Sequence, residues 1–94
     1  MESSTALSST LIETLSRNGL KPTVGRLQVL ALFQDQMART SEHAYKELLR
    51  QNAAISLATT YRAIGQFAEA GILDRRQFEV GPCLYRLKDT ELRP

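Results

Sequence analysis

Three polar side chains recur at helical spacing in the second half of the chain: Thr59, Arg62 and Gln66. Steps of three and four residues place them on one face of an α-helix. An arginine fork can pair with O6 and N7 of guanine, a glutamine amide with adenine, and a threonine methyl group with thymine. The spacing therefore predicts a helix face suited to the edges of DNA bases. A solvated helix face would carry the same residue types, so the spacing alone leaves both interpretations open.

Basic residues flank this segment on both sides in the sequence. Lys21 and Arg26 precede it, and the pair Arg75 and Arg76 follows it. Cations in such positions can bind phosphates and so fix the register of a protein on a duplex. A tandem pair of arginines is also common on a solvated surface, so the pair by itself does not decide between these roles.

Capping signals divide the first three quarters of the chain into four helices. Hydroxylated residues predict the starts of the second, third and fourth helices, and glycines predict the ends of the first and the fourth. The starting residues are Thr23, then Thr40 or Ser41, then Ser56, and the terminating residues are Gly19 and Gly71. A projection of the fourth helix, residues 56–70, predicts that its core side consists of Leu57, Ile64, Ala68 and Gly71, flanked by Tyr61 and Phe67.

The hydrophobic period changes after Gly71. Residues 72–78 and 83–87 are predicted to form two short strands joined by a turn at 79–82, which contains Gly81 and Pro82. The predicted fold is mainly α with a small β-hairpin (α+β), a winged helix-turn-helix, in which the second helix of a pair can enter a major groove. Residues 1–87 are expected to form this domain, and residues 88–94 a tail or a severed linker.

Composition excludes several classes of function. The 94 residues contain one cysteine, Cys83, and one histidine, His43, so neither an internal disulfide nor a paired-cysteine zinc site is predicted. The sequence shows no Ser/His/Asp set and no glycine-rich phosphate loop, so no enzyme is predicted. No apolar run approaches the roughly 20 residues of a membrane span, and a cytoplasmic location is expected. The net charge of +2 permits an anionic partner without requiring one.

Several blocks together resemble the N-terminal, DNA-binding half of the ferric uptake regulator family. The blocks are GLKPTVGRLQVL at 19–30, Ala44-Tyr45, LATTYRAIGQF at 57–67 and AGIL at 70–73. The resemblance extends over residues 11–87, and the blocks at their mutual distance are far more specific than any one of them alone.

The resemblance implies a function and a set of contacts. Members of this family are bacterial repressors that bind AT-rich palindromic operators as metal-loaded dimers. By position, Tyr61 and Arg62 correspond to residues of the recognition helix that touch bases, and Lys21 to a lysine that reaches into the minor groove. The residues expected to contact DNA are Lys21, Arg26, Thr59, Thr60, Tyr61, Arg62, Gln66, Arg75 and Arg76.

The chain also departs from the family pattern. The resemblance implies a homodimer formed through a C-terminal domain, and that half is expected to lie outside these 94 residues. Ala38 and Arg86 stand where many members carry sensory metal ligands, so no metal or other cofactor is expected in this chain, although full-length relatives bind zinc, iron or manganese. Cys83 could be a displaced ligand, and His43 is expected to lie exposed on the third helix.

Two functions follow as hypotheses. The first is the sequence-specific DNA-binding domain of a bacterial metal- or stress-responsive transcription regulator, a repressor that binds double-stranded DNA through helix 56–70. The alternative is a winged-helix module that binds a protein and no nucleic acid, which the modest net charge permits.

Overall fold

The computed structural model describes residues 2–88 of the chain, and the side chains of residues 9–88. Four α-helices, a 3₁₀ turn and two strands follow one another in the described part. They are α1 (Glu2–Arg17), α2 (Val24–Leu32), the 3₁₀ turn (Phe33–Asp35), α3 (Ser41–Arg50), α4 (Leu57–Ala70), β1 (Leu73–Arg76) and β2 (Leu84–Leu87). The predicted winged helix-turn-helix fold is confirmed. Apart from Lys88, the predicted tail at 88–94 lies outside the described residues.

Hydroxyl side chains start the helices where the sequence predicted. The Oγ atoms of Thr23, Thr40 and Ser56 each accept a hydrogen bond from the backbone N–H three residues later, at 3.0–3.2 Å. Thr40, and not Ser41, is therefore the cap of α3. Gly71 ends α4 at φ +84°, a left-handed conformation that a side chain would oppose.

Helix α4 occupies the centre of the domain and packs against α2, α3 and β1. Its buried residues are Thr60, Ala63, Ile64 and Phe67. The predicted core side was therefore right at Ile64 and wrong at Leu57, which is 44% exposed, and of the two predicted flanking residues Phe67 is buried and Tyr61 is exposed. Thr60 was not among the residues predicted for the core side, but its hydroxyl donates to the Ser56 carbonyl at 2.9 Å. Burial of a hydrogen-bonded hydroxyl costs little free energy. The buried face of α4 is therefore rotated about the helix axis relative to the predicted one, and it includes Thr60 and Ala63.

The hairpin is shorter than predicted. Its register pairs Leu73 with Leu87 at the base and Arg76 with Leu84 at the end, so β1 stops two residues before the predicted limit. Leu73 and Leu87 are buried against the helices, whereas Phe78 and Val80 beyond the last pair are exposed. Strand pairing ends there because a two-stranded ribbon without a core beneath it is only marginally stable in water.

A buried arginine joins the helices to the hairpin. The backbone of Arg39 exchanges two hydrogen bonds with Tyr85 of β2, at 2.9 and 2.8 Å. Its guanidinium binds both oxygens of Asp35, and its Nε donates to Glu47 of α3 at 2.7 Å. The guanidinium carbon Cζ of Arg39 also lies 5.7 Å from the centre of the Phe33 ring. Arg39 therefore connects the 3₁₀ turn, α3 and β2, and it is only 6% exposed.

We expect this network to weaken in acid. Hydrogen bonds from Arg39 lower the pKa of Asp35 from 3.8 to about 2 and lower the pKa of Glu47 as well. A carboxylate whose pKa is lowered by folding stabilises the fold at pH values above its pKa in the unfolded chain. That contribution is lost as the pH falls toward its pKa in the folded chain. The free energy of unfolding should thus decrease between about pH 4 and pH 2.

Urea titrations at several pH values would measure this change. Asp35→Asn should reduce the acid-induced loss of unfolding free energy by about 1 kcal/mol. The amount is modest because solvent screens a carboxylate that is 43% exposed. Glu69→Gln, which removes an exposed carboxylate outside the network, is the matched control and should keep the wild-type slope. An Asp35→Asn slope equal to that of the control would contradict the prediction.

None of the helices in the described part of the chain combines the length and the apolar content needed to cross a bilayer.

Candidate nucleic-acid interface

An open depression lies between the start of α2 and the exposed side of α4. It is lined by Lys21, Thr23, Arg26, Thr59, Arg62, Ala63 and Gln66. Most of the residues expected to contact DNA are thus brought together from segments about 40 residues apart, although sequence reasoning did not include Thr23 or Ala63. The lining includes three cations and no carboxylate, so the depression favours an anionic partner.

Arg62 projects into this depression from the second turn of α4. Its side chain is exposed, and no hydrogen bond or ion pair joins it to any residue in the described part of the chain. Thr60 and Ala63, its neighbours toward the core, are buried and hold that turn in place. A guanidinium on a rigid turn that retains all of its donors can form the two parallel hydrogen bonds that a guanine edge accepts.

Thr59 lies on the same side of α4, close to α2. Its Oγ1 accepts a hydrogen bond from the Ser56 hydroxyl at 2.9 Å. Its methyl carbon lies 3.6 Å from the position that a Cβ on Gly25 would occupy. The methyl group is therefore turned toward α2, and the exposed part of Thr59 combines a hydroxyl with only part of the methyl surface that thymine would contact.

Arg26 and Gln66 are bound to each other. The Nε and Nη2 atoms of Arg26 donate to Oε1 of Gln66 at 3.3 and 3.0 Å, and Nη1 donates to the Lys21 carbonyl at 2.9 Å. The predicted pairing of the Gln66 amide with adenine needs the amide oxygen as an acceptor. That oxygen already accepts two N–H groups, so the structure does not support this pairing while Arg26 is bound.

Thr60 is a correction to the set of residues expected to contact DNA. Its side chain is fully buried in the core, and its hydroxyl is bound to the Ser56 carbonyl. A side chain in that position cannot reach a duplex. Thr60 therefore supports the exposed face of α4 from beneath and is not part of it.

Tyr61 faces a second, adjacent depression. It is 45% exposed, and the lining includes the start of α3, Cys83 and Tyr85. Its ring is therefore accessible for stacking on a sugar or a base, as the resemblance implies. The contact between Tyr61 and DNA stays a prediction.

The two arginines of β1 lie on opposite faces of the hairpin, because side chains alternate along a strand. Arg75 is paired with Tyr85, and its guanidinium lies 5.6 Å from the centre of that ring, on the side of Tyr61. Arg76 lies on the other face with Asp74 and Arg86. Only Arg75 therefore lies on the same side as Tyr61, and the contact of either arginine with DNA stays a prediction.

The positions at which the resemblance places sensory ligands carry a methyl group and a guanidinium, at Ala38 and Arg86, and neither group ligates a metal ion. Ala38 and Arg86 line a depression whose other side chains are Asp74, Arg76, Phe78 and Leu84. One carboxylate among two guanidinium groups is not a set of donors that holds a metal ion. Cys83 lines the other depression, beside Tyr61, and its role as a displaced ligand stays a prediction. His43 is exposed, as expected.

The fold and the basic depression define a class of protein. A helix pair whose second helix exposes a cationic face, followed by an antiparallel wing, is the winged helix-turn-helix domain of transcription regulators. The chain belongs to the ferric uptake regulator family, whose sequence profile matches residues 17–92. Members of this family are transcription regulators and not enzymes.

Individual relatives agree with this assignment. The ferric uptake regulation protein of Bordetella parapertussis is 42% identical over 79 residues, which cover 82% of this chain and 57% of that protein. The ferric uptake regulator of Vibrio cholerae superimposes with a TM-score of 0.79 at 36% identity, over 84% of this chain and 62% of that one. The regulator of Pseudomonas aeruginosa, solved with manganese, also gives 0.79, at 32% identity, over 85% and 61%. This chain therefore spans somewhat more than half the length of these relatives and corresponds to their DNA-binding domain.

Proposed function

We propose that this chain is the part of a bacterial metal- or stress-responsive transcription regulator that binds a specific operator, and that the regulator acts as a repressor. Helix α4 enters the major groove of an AT-rich palindromic site, and Lys21 approaches the neighbouring minor groove. The observation that carries the proposal is the Arg62 guanidinium, exposed and unpaired among the described residues, on the same depression as Lys21. A chromosomal target implies a cytoplasmic location.

The proposal rests on shape and charge together. Winged-helix domains also bind proteins, but a protein partner does not require a cationic depression without carboxylates beside an exposed helix. Relatives named as ferric uptake regulation proteins, and one solved with manganese, support a metal-responsive regulator. In this proposal the metal is sensed outside the domain described here, because the described residues 2–88 contain no cluster of ligands.

Fluorescence anisotropy with labelled duplexes tests the proposal. The chain should bind a pool of AT-rich duplexes in low salt more tightly than GC-rich duplexes of equal length, and added salt should weaken both. Equal weak binding to both pools would contradict sequence-specific recognition. Absence of binding to either, with retention of a partner protein in a pull-down, would favour the protein-interaction alternative.

We expect Lys21→Ala to weaken binding to all duplexes to a similar degree. Lys21 is exposed at the edge of the depression, and at the minor groove its ammonium acts as a point charge beside the flanking phosphates, which carry no sequence information. The slope of log K against log salt is negative, and its magnitude should decrease by about 0.9, the value for one neutralised phosphate. Lys46→Ala removes an equal charge from the exposed side of α3 and should leave the slope unchanged. A wild-type slope for Lys21→Ala would contradict the phosphate contact.

We also propose that the homodimer of the intact regulator forms outside the winged-helix domain. The chain by itself should then be a monomer that occupies one half-site. Affinity for a single half-site should be much lower than that of a linked pair, because linkage makes the second binding event intramolecular. Light scattering at micromolar concentration would measure the mass, and a dimer under these conditions would contradict the proposal.

A further inference from the structure

We infer that Arg26 is a positioning residue: it holds the Lys21 turn and α4 at a fixed separation, and its effect on DNA binding is transmitted through Lys21 and Gln66. The inference rests on the proposed function, because it concerns how the two DNA-contacting elements are arranged. From the sequence, Arg26 was expected to contact DNA directly. The contacts of its guanidinium indicate a different role.

The guanidinium of Arg26 connects two separate elements. Its Nε–Nη2 edge binds Gln66 in the third turn of α4, and its Nη1 binds the Lys21 carbonyl before α2 begins. The edge that faces Gln66 is therefore not available to fork onto a phosphate or a guanine. Arg26 is also only partly exposed, whereas Lys21 and Arg62 are exposed.

The Lys21 end of this connection is itself fixed. The Lys21 carbonyl also accepts the backbone N–H of Thr23 at 2.9 Å, and Pro22 between them restricts the backbone. Thr23 in turn caps α2 through the N–H of Arg26 at 3.2 Å. The position of the Lys21 Cα is thus determined relative to α4 by a short closed set of hydrogen bonds. A lysine that approaches the minor groove of DNA and a helix that enters the adjacent major groove must be held at such a fixed separation.

The same contacts fix the orientation of the Gln66 amide. A guanidinium has only donors, so the amide atom that faces Arg26 must be the oxygen. The Nε2 group of Gln66 is then left with its two N–H donors. In this state the amide can bind only acceptors, such as a phosphate oxygen or a base carbonyl, so Arg26 also determines which group Gln66 can recognise.

Arg26→Lys and Arg26→Met distinguish positioning from direct phosphate binding. Lysine keeps the charge, but one ammonium group cannot reproduce the planar fork that reaches Gln66 and the Lys21 carbonyl together. We expect both variants to lose about tenfold in affinity for the preferred duplex, and we expect Gln66→Met, which removes the acceptor, to lose a similar amount. A direct phosphate contact would give a different result and would overturn the inference. Arg26→Lys would then keep an affinity within about threefold of wild type, while Arg26→Met would lose affinity and the magnitude of its salt slope would be about 0.9 smaller.

A thermodynamic cycle with Lys21 gives a second readout, which a general loss of stability would not produce. In the Lys21→Ala background, Arg26→Met should cost about threefold and not tenfold, because only the part of its effect that is transmitted through Gln66 remains. The same tenfold cost in both backgrounds would overturn the inference. Thermal unfolding identifies variants that fail to fold, and Gln66→Met then replaces Arg26→Met in the cycle.

The inference and the proposed function can fail separately. If the wild-type chain binds no duplex, the proposed function fails. If the wild type binds and Arg62→Ala weakens binding, the function holds, and the Arg26 variants alone decide the role of Arg26.

Discussion

Arg62→Ala should reduce the affinity of the chain for its preferred duplex by about 1–3 kcal/mol, a factor of roughly 5 to 150, and should relax the base preference at one position. The expected effect is large because the guanidinium is not committed to any described partner within the fold. Formation of an Arg–guanine pair therefore breaks no hydrogen bond of the protein. The buried Thr60 and Ala63 also restrict the turn that carries Arg62, so little backbone conformational entropy is lost on binding.

Titrations of a set of duplexes that differ at single base pairs would measure this effect. Arg62→Lys keeps the charge and loses the fork, so it should retain nonspecific affinity and the salt slope while it loses discrimination at the same base pair. Arg50→Ala removes an arginine from the exposed end of α3, outside the basic depression, and should leave both quantities unchanged. Equal affinities of wild type and Arg62→Ala on every duplex would remove Arg62 from base recognition.

Local chemistry determined the parts of the fold that could be predicted. Thr23, Ser56 and Gly71 mark helix ends through hydrogen bonds within three residues or through a backbone angle that glycine favours, so the sequence itself contains the necessary information. The exposure of Arg62 was also predictable, since it follows from the helical period around the buried Ile64. Family resemblance then gave this local pattern a function that composition alone could not provide.

The errors concern contacts between residues that are distant in sequence. Thr60 was expected to contact DNA, but a hydrogen bond to the preceding turn makes it compatible with the core. Arg26 and Gln66 are separated by 40 positions, and no periodicity links them. Adjacent strand residues alternate, so the separation of Arg75 from Arg76 was implied by the sequence, whereas the pairing of Arg75 with Tyr85, which places it on the side of Tyr61, was not.

Arg39 is the clearest example of a residue whose importance the sequence did not reveal. It lies in a polar connection between helices, where an arginine is normally solvated. In the structure it is buried, and its three kinds of contact, with Asp35, Glu47 and the backbone of Tyr85, come from three different elements. The spacing from Asp35 is a local signal, but the contact with Tyr85 arises only when the hairpin folds back onto the helices.

We expect Arg39→Met to destabilise the domain by about 2–4 kcal/mol and to lower its melting temperature by roughly 10–20 °C. Methionine can fill much of the volume beside Phe33, so the loss comes chiefly from Asp35 and Glu47, which would remain charged without a partner. The effect should fall toward the lower end of values for buried ion pairs, because both carboxylates retain contact with water. Calorimetry would measure the change, with Arg50→Met as the control at an exposed site.

The Arg39 substitution should also separate the hairpin from the helices before the domain unfolds as a whole. The backbone bridge between Arg39 and Tyr85 would persist only if the segment before α3 kept its position, and the side chain of Arg39 is what anchors that segment to Asp35 and Glu47. Hydrogen exchange at the Tyr85 amide should therefore accelerate more than exchange at Ile64 in the centre of α4. Equal acceleration at the two amides would mean that Arg39 stabilises the whole domain uniformly. A melting temperature within about 3 °C of wild type would mean that the ion pairs of Arg39 contribute almost nothing to the stability of the domain. Many exposed ion pairs behave in that way.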